Sequence, residues 1–166
     1  MSKKLSSEKI LSISAIIIAL ASIFISIWEG IEIRKHNRLS VRPKLEISYN
    51  VAQNNFGYEL INNGLGPAII VEKKLFVDNK EIKASGFSGY DDFFEVLNLK
   101  DRLVMHGATG SGTTIRPSEN ENIFIFKFVE NEDKERLISQ IYNRVRIEIS
   151  YKSMYDESFL CKVPSK

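Results

Sequence analysis

Hydrophobic and polar residues alternate in two distinct ways along this chain, and a third stretch does not alternate at all. From Ile10 to Trp28 no residue carries a charge, and Lys9 and Glu29 close the run on either side. At ~1.5 Å per helical residue these nineteen positions reach roughly 28 Å, the thickness of a bilayer's hydrocarbon core, which predicts a transmembrane helix over 10–28. From residue 44 onward the period becomes two. Leu45, Ile47, Tyr49 and Val51 alternate with Lys44, Glu46, Ser48 and Asn50, the mark of a half-buried strand. Phe56, Tyr58 and Leu60 repeat it. Asn62-Asn63-Gly64 and Gly66-Pro67 interrupt it, with Gly64 and Gly66 expected to supply positive φ. Ala68–Val77 resumes, and Asp78-Asn79 is a hairpin turn into Lys80–Lys83. Ile123–Val129 is apolar on both faces except at Lys127 and should be a central strand. Val145, Ile147, Ile149 and Tyr151 alternate with polar neighbours, and a turn near Tyr155-Asp156-Glu157 returns the chain through Phe159, Cys161 and Val163.

Helical spacing enters twice more. Tyr90, Phe93, Phe94 and Leu97 share a face, with Ser88 and Asp91 placed for a capping box. Asn131–Tyr142 groups Leu137, Ile138, Ile141 and Tyr142 on one side behind an acidic first turn. Both helices are expected to cover the ends of the core. The resulting organisation is an N-terminal tail (1–9), a transmembrane helix (10–28), a basic juxtamembrane linker (29–43) and a β-sandwich domain (44–166). The expected fold class is mainly β: about seven short strands forming an antiparallel sandwich with two helical insertions.

A cleaved signal peptide competes for the first segment, since Lys3, Lys4 and Lys9 would form its basic region and Ala19-Leu20-Ala21 its cleavage site. The apolar run continues through Ser22–Trp28, past that site, which favours an uncleaved anchor. Within it Ser12, Ala15, Ala19, Ser22 and Ser26 recur at spacings of three and four, so they line one stripe of the helix. Small residues on one seam let two spanning helices approach closely, a route to a homo-oligomer. Trp28 lies where interfacial aromatics sit, and Arg34, Lys35, Arg38 and Arg42 are placed to meet anionic lipid headgroups. The rhythm of Trp28, Ile31 and Ile33 carries the helix on to about His36, to end at Asn37 or Ser40 ahead of Pro43.

Charge sets the sidedness and excludes one partner. Five basic residues follow the span and three precede it, so the positive-inside bias places the soluble domain in the cytoplasm. The single cysteine, Cys161, allows no intrachain disulfide and lies too far from the N-terminus for a lipoprotein anchor. Positions 10–166 hold 20 basic and 20 acidic residues, so there is no net positive field for nucleic acid.

Motifs for chemistry are scarce. Gly107-Ala108-Thr109-Gly110-Ser111-Gly112-Thr113-Thr114 has the glycine spacing of a phosphate-binding loop, but Thr113 stands where the lysine should be. Gly107, Thr109, Gly110, Ser111 and Gly112 therefore read as a candidate binding loop between strands. His36, His106 and Cys161 cannot assemble a zinc site, and Asp91, Asp92 and Glu95 lack the spacing of a calcium loop. Neither a cofactor nor a catalytic residue is assigned, and the chain is expected not to be an enzyme.

The order of one span, then His36-Asn37-Arg38-Leu39-Ser40-Val41-Arg42-Pro43, then Asn62-Asn63-Gly64-Leu65-Gly66-Pro67-Ala68 resembles uncharacterised small bacterial single-pass membrane proteins. Their soluble part is an immunoglobulin-like β-sandwich. The resemblance covers the first ~75 residues and touches the Ile115-Arg116-Pro117 region beyond them; it implies architecture and no chemistry.

Three function classes follow. The first is a membrane-anchored, non-enzymatic binding module that recognises a protein or small ligand through its loops. The second is an effector or sensor whose soluble domain controls association of the transmembrane helix. The third is a hydrolase with an unfamiliar site.

Overall fold

The computed structural model describes residues 6–83, 86–107 and 109–164, with 86–89 described by backbone alone. Lys3 and Lys4 lie outside the described residues. The chain divides into two compact units, 1–40 and 41–166.

The first unit is a single helix, α1 (Ser7–Ser40), of 34 residues with none buried. It is long and apolar enough to cross a membrane. Its large apolar residues are exposed along the whole length, from 48% at Ile13 to 73% at Leu11. A helix that packed into a soluble core would hide that face. The helix runs without interruption through Glu29–Ser40, so much of the basic linker is helical, ending at Ser40.

Among its described residues the second unit contains nine strands and two longer helices. The strands are β1 (Leu45–Val51), β2 (Asn55–Asn62), β3 (Ala68–Val77), β4 (Lys80–Ile82), β5 (Leu103–His106), β6 (Thr114–Ile115), β7 (Asn120–Lys127), β8 (Val145–Lys152) and β9 (Ser158–Val163). The helices are α2 (Gly86–Val96) and α3 (Lys134–Arg144). One antiparallel sheet has the order β1-β2-β7-β5, the other β4-β3-β8-β9, with β6 also paired to β3. Helix and strand take comparable shares of the chain, so it is mixed rather than mainly β. The cause is α1, together with 11 residues in each of α2 and α3.

Residues from both sheets and both helices share one core, including Phe56, Tyr58, Leu75, Phe93, Phe94, Phe124, Phe126 and Ile147. β7 is central, as its two-sided apolar character predicts, and α2 lies against it. Phe93 and Phe94 place their rings 5.2 and 5.4 Å from Phe124. α2 is thus part of the core, not a cover at its end. It starts at Gly86, two residues before Ser88, so Ser88 lies inside the helix and not at the N-cap position expected of it.

α3 also starts later than its apolar rhythm implies. Asn131 has φ 63°, a left-handed conformation that ends the preceding segment, and Asp133 caps the helix by accepting from the Arg136 N–H at 3.1 Å. The β3–β4 turn is as expected: Asp78 and Asn79 have φ 49° and 65°, the pair of positive values a tight hairpin requires. β5 was not given a range from the sequence, and β6 was foreseen only as the strand-and-turn region at Ile115-Arg116-Pro117. Both are short, and Val104 and Met105 of β5 face outward.

Gly64 and Gly66 are needed for a different reason from the one expected. Among the described residues Gly112 is the positive-φ glycine. A Cβ at Gly66 would instead overlap the carbonyl of Val41, and one at Gly64 would overlap the Lys44 amide. These glycines let two backbone segments touch where the chain enters the domain.

Candidate functional site

Asn62 and Lys73 are polar residues that the strand period turns toward the interior, and both were missed in the sequence. Asn62 follows Phe56, Tyr58 and Leu60 on the inward row of β2 and is fully buried. Its Oδ1 accepts from the amides of Gly64 (3.0 Å) and Lys44 (3.2 Å). Its Nδ2 donates to the carbonyls of Gly66 (2.9 Å) and Ile115 (3.0 Å). The amide is fully satisfied, so Asn62 is a structural hub, and every bond it makes is spent on backbone.

Lys73 is different. Ala68 and Ile70 face inward at the start of β3, and a bulge between Ile70 and Glu72 shifts the inward row to Lys73, Leu75 and Val77. Its Nζ donates to the Tyr90 hydroxyl at 2.7 Å and to Thr109 Oγ1 at 3.3 Å. It also lies 5.0 Å from the Tyr90 ring centroid. Tyr90 stacks in turn on His106, with ring centroids 4.7 Å apart. Tyr90 and Thr109 are 2% and 1% exposed. Burial lowers the Lys73 amine from 10.5 to about 8, because desolvation disfavours the ammonium. The same desolvation raises the Tyr90 phenol, which stays neutral.

Four elements thus converge: β3 with Lys73, α2 with Tyr90, β5 with His106 and the β5–β6 loop with Thr109. That loop is the glycine-rich segment singled out in the sequence. It is pinned to β3, because Gly112 N donates to the Ile70 carbonyl and Ile70 N to the Thr113 carbonyl, each at 2.8 Å. Gly107 presses on the Asn122 carbonyl where a Cβ would not fit, and Gly112 has φ 86°. Thr109 is drawn inside while Gly110, Ser111 and Gly112 stay exposed.

No protein-family model and no curated protein matches this chain.

The other expected site residues lie apart from this cluster. On α1, Ser12, Ser22 and Ser26 turn their hydroxyls back to the carbonyls of Glu8, Ile18 and Ser22 at 2.8–2.9 Å. Those serines are satisfied within their own helix, so small size alone, shared with Ala15 and Ala19, distinguishes the stripe. Trp28, Arg34, Lys35 and Arg38 are all exposed on α1. Arg42 lies in the second unit, with its guanidinium 4.9 Å from the Phe159 ring centroid. Asp91, Asp92 and Glu95 are exposed, and Glu95 pairs with Lys100 at 2.9 Å. Among the described residues no group of His, Cys, Asp and Glu is gathered for a metal. His106 and Cys161 lie in different sheets, on β5 and β9. Burial pushes the Cys161 thiol up, away from the reactive thiolate.

Proposed function

We propose that this protein is a single-pass, membrane-anchored binding module without enzymatic activity. Its soluble part is read as an immunoglobulin-like β-sandwich with helical insertions, of the kind found in small bacterial membrane proteins. The anchor reading is carried by one observation: α1 leaves its whole apolar run, Ile10–Trp28, without protein cover. In water that surface is unfavourable by roughly 25 cal/mol per Å2, whereas in lipid it is at home. The basic residues after the span favour a cytoplasmic domain, with Arg34, Lys35 and Arg38 meeting anionic headgroups. The glycine-rich loop supports the binding role, because it presents an exposed tip next to the half-buried amine of Lys73.

Two measurements test this reading. In alkaline carbonate the full-length protein stays with the membrane and keeps its original N-terminus; release, or a mature start near Ser22, overturns the anchor. Ser111→Trp at the loop tip leaves the fold intact and removes whatever species co-purifies with the detergent-extracted wild type. If wild type and variant retain the same species, recognition does not use this loop.

A further inference from the structure

Among the described residues the Lys73 ammonium has no anionic partner. An ammonium only donates, and here Nζ gives two of its hydrogens to the oxygens of Tyr90 and Thr109. Those two oxygens are acceptors toward Lys73, so each hydroxyl hydrogen points elsewhere. Among the described residues neither hydroxyl donates to a protein acceptor, and no carboxylate lies within ion-pairing distance of Nζ. The neighbouring acid, Glu72, pairs with Lys74 at 3.0 Å instead. One ammonium hydrogen and two hydroxyl hydrogens are thus left around a single positive charge, beside two nearly inaccessible side chains. A desolvated ammonium is costly without an anion, and a fold gains nothing by keeping it so.

We propose that Lys73, Tyr90 and Thr109 form a receptor for a single carboxylate, which accepts one hydrogen bond from the ammonium and one or both hydroxyl hydrogens. Charge selects this class. A monoanion neutralises the single cation, whereas a phosphate dianion would leave a surplus negative charge beside two neutral hydroxyls. The assignment deepens the binding-module reading, on which it rests, by naming what the loop and its lysine would hold. It also accounts for the loop's construction: Gly107 and Gly112 shape a backbone that carries Thr109 inward to the amine.

The test is competitive labelling of the full-length protein in detergent micelles at pH 8 and constant ionic strength. A trace of amine-acetylating ester is used, and each lysine is read by mass spectrometry. The probes are sodium acetate, sodium phosphate, sodium chloride and a doubly blocked glutamyl peptide. A bound carboxylate holds the proton on Lys73, so acetate slows its modification about ten-fold relative to chloride. Exposed Lys80 does not change. Thr109→Val keeps the shape but loses one donor, and reduces that protection to about two- or three-fold. Tyr90→Phe is the second variant should Thr109→Val not fold. Protection by the glutamyl peptide as well as acetate identifies a partner's acidic side chain as the source; protection by acetate alone identifies a small free acid. Equal rates in acetate and chloride, greater protection by phosphate, or equal slowing at Lys80 overturns the proposal. The binding-module reading fails separately, when Ser111→Trp retains the wild-type bound species.

Discussion

Asn62 donates its side-chain amide to the carbonyl of Gly66 at 2.9 Å and so closes the loop that it opens. The opposite end of the same amide takes the Lys44 N–H, tying the first residue before β1 to the last residue of β2. Fifty-three residues downstream in sequence, the Ile115 carbonyl completes the set.

Asn62→Asp keeps the acceptor side and turns the donor side into a charge facing two carbonyls. A loss of about 3 kcal/mol or more is expected, from two orphaned acceptors and a buried carboxylate. Part of it returns as pH falls and the new acid protonates into a donor. Denaturant unfolding of wild type and variant at pH 7 and pH 4 measures both effects; equal stability at pH 7 would remove Asn62 as the hub.

Lys73 makes stability depend on alkaline pH. Folded, the amine titrates near 8; its ordinary value is 10.5. Between those values the folded chain binds fewer protons than the unfolded one, so stability rises with pH, by roughly 3 kcal/mol at most. Tyr58 and Tyr90 act in the opposite sense above pH 10, because burial raises both phenols. The rise is therefore read between pH 8 and 10. Lys73→Met should abolish it and be at least as stable as wild type at pH 7. A wild-type profile identical to that of the variant would contradict this.

Two buried tyrosines separate a useful hydroxyl from a costly one. Tyr151 accepts from the Leu45 amide at 3.2 Å, whereas the buried Tyr58 hydroxyl has no hydrogen-bond partner among the described residues. Tyr151→Phe orphans a backbone N–H and should cost about 1–2 kcal/mol. Tyr58→Phe should cost less than ~0.5 kcal/mol or stabilise the protein. Thermal unfolding midpoints order the two, and the reverse order would refute the assignment.

Arg102 grips both carboxylate oxygens of Glu132 through Nη1, at 2.7 and 2.8 Å. Desolvation pulls the Glu132 carboxyl up, but the bonds from Arg102 and the Val129 amide outweigh it and hold the group below its ordinary 4.5. That contribution is present above pH 4.5 and is lost as pH falls through the folded value. Glu132→Gln should cost about 1 kcal/mol at pH 7. The gap from wild type should close toward pH 3, as followed by unfolding midpoints.

The long strands were legible because each keeps one period over many residues, and α1 because its run is uncharged throughout; Leu45–Val51 and Val145–Lys152 form where their alternation says. Two failures share a cause in long-range contact. Gly64 and Gly66 look like turn glycines until Val41–Lys44 is laid against them, and β5 is too short to announce itself without β7. Lys73 was nearly visible. It sits two residues before Leu75 and four before Val77, on their row, but the bulge at Ile70–Glu72 hides its break with Ala68 and Ile70. Thr109 was picked for the right segment and the wrong posture, since a glycine-rich composition does not say that one side chain will be drawn inside.

The close contact of Gly66 with Val41 has a mechanical consequence. A tug on the N-terminal end enters the domain at Val41, three residues before the Lys44 amide that Asn62 holds, so the side chain of one residue in β2 guards the point where the anchor's load arrives.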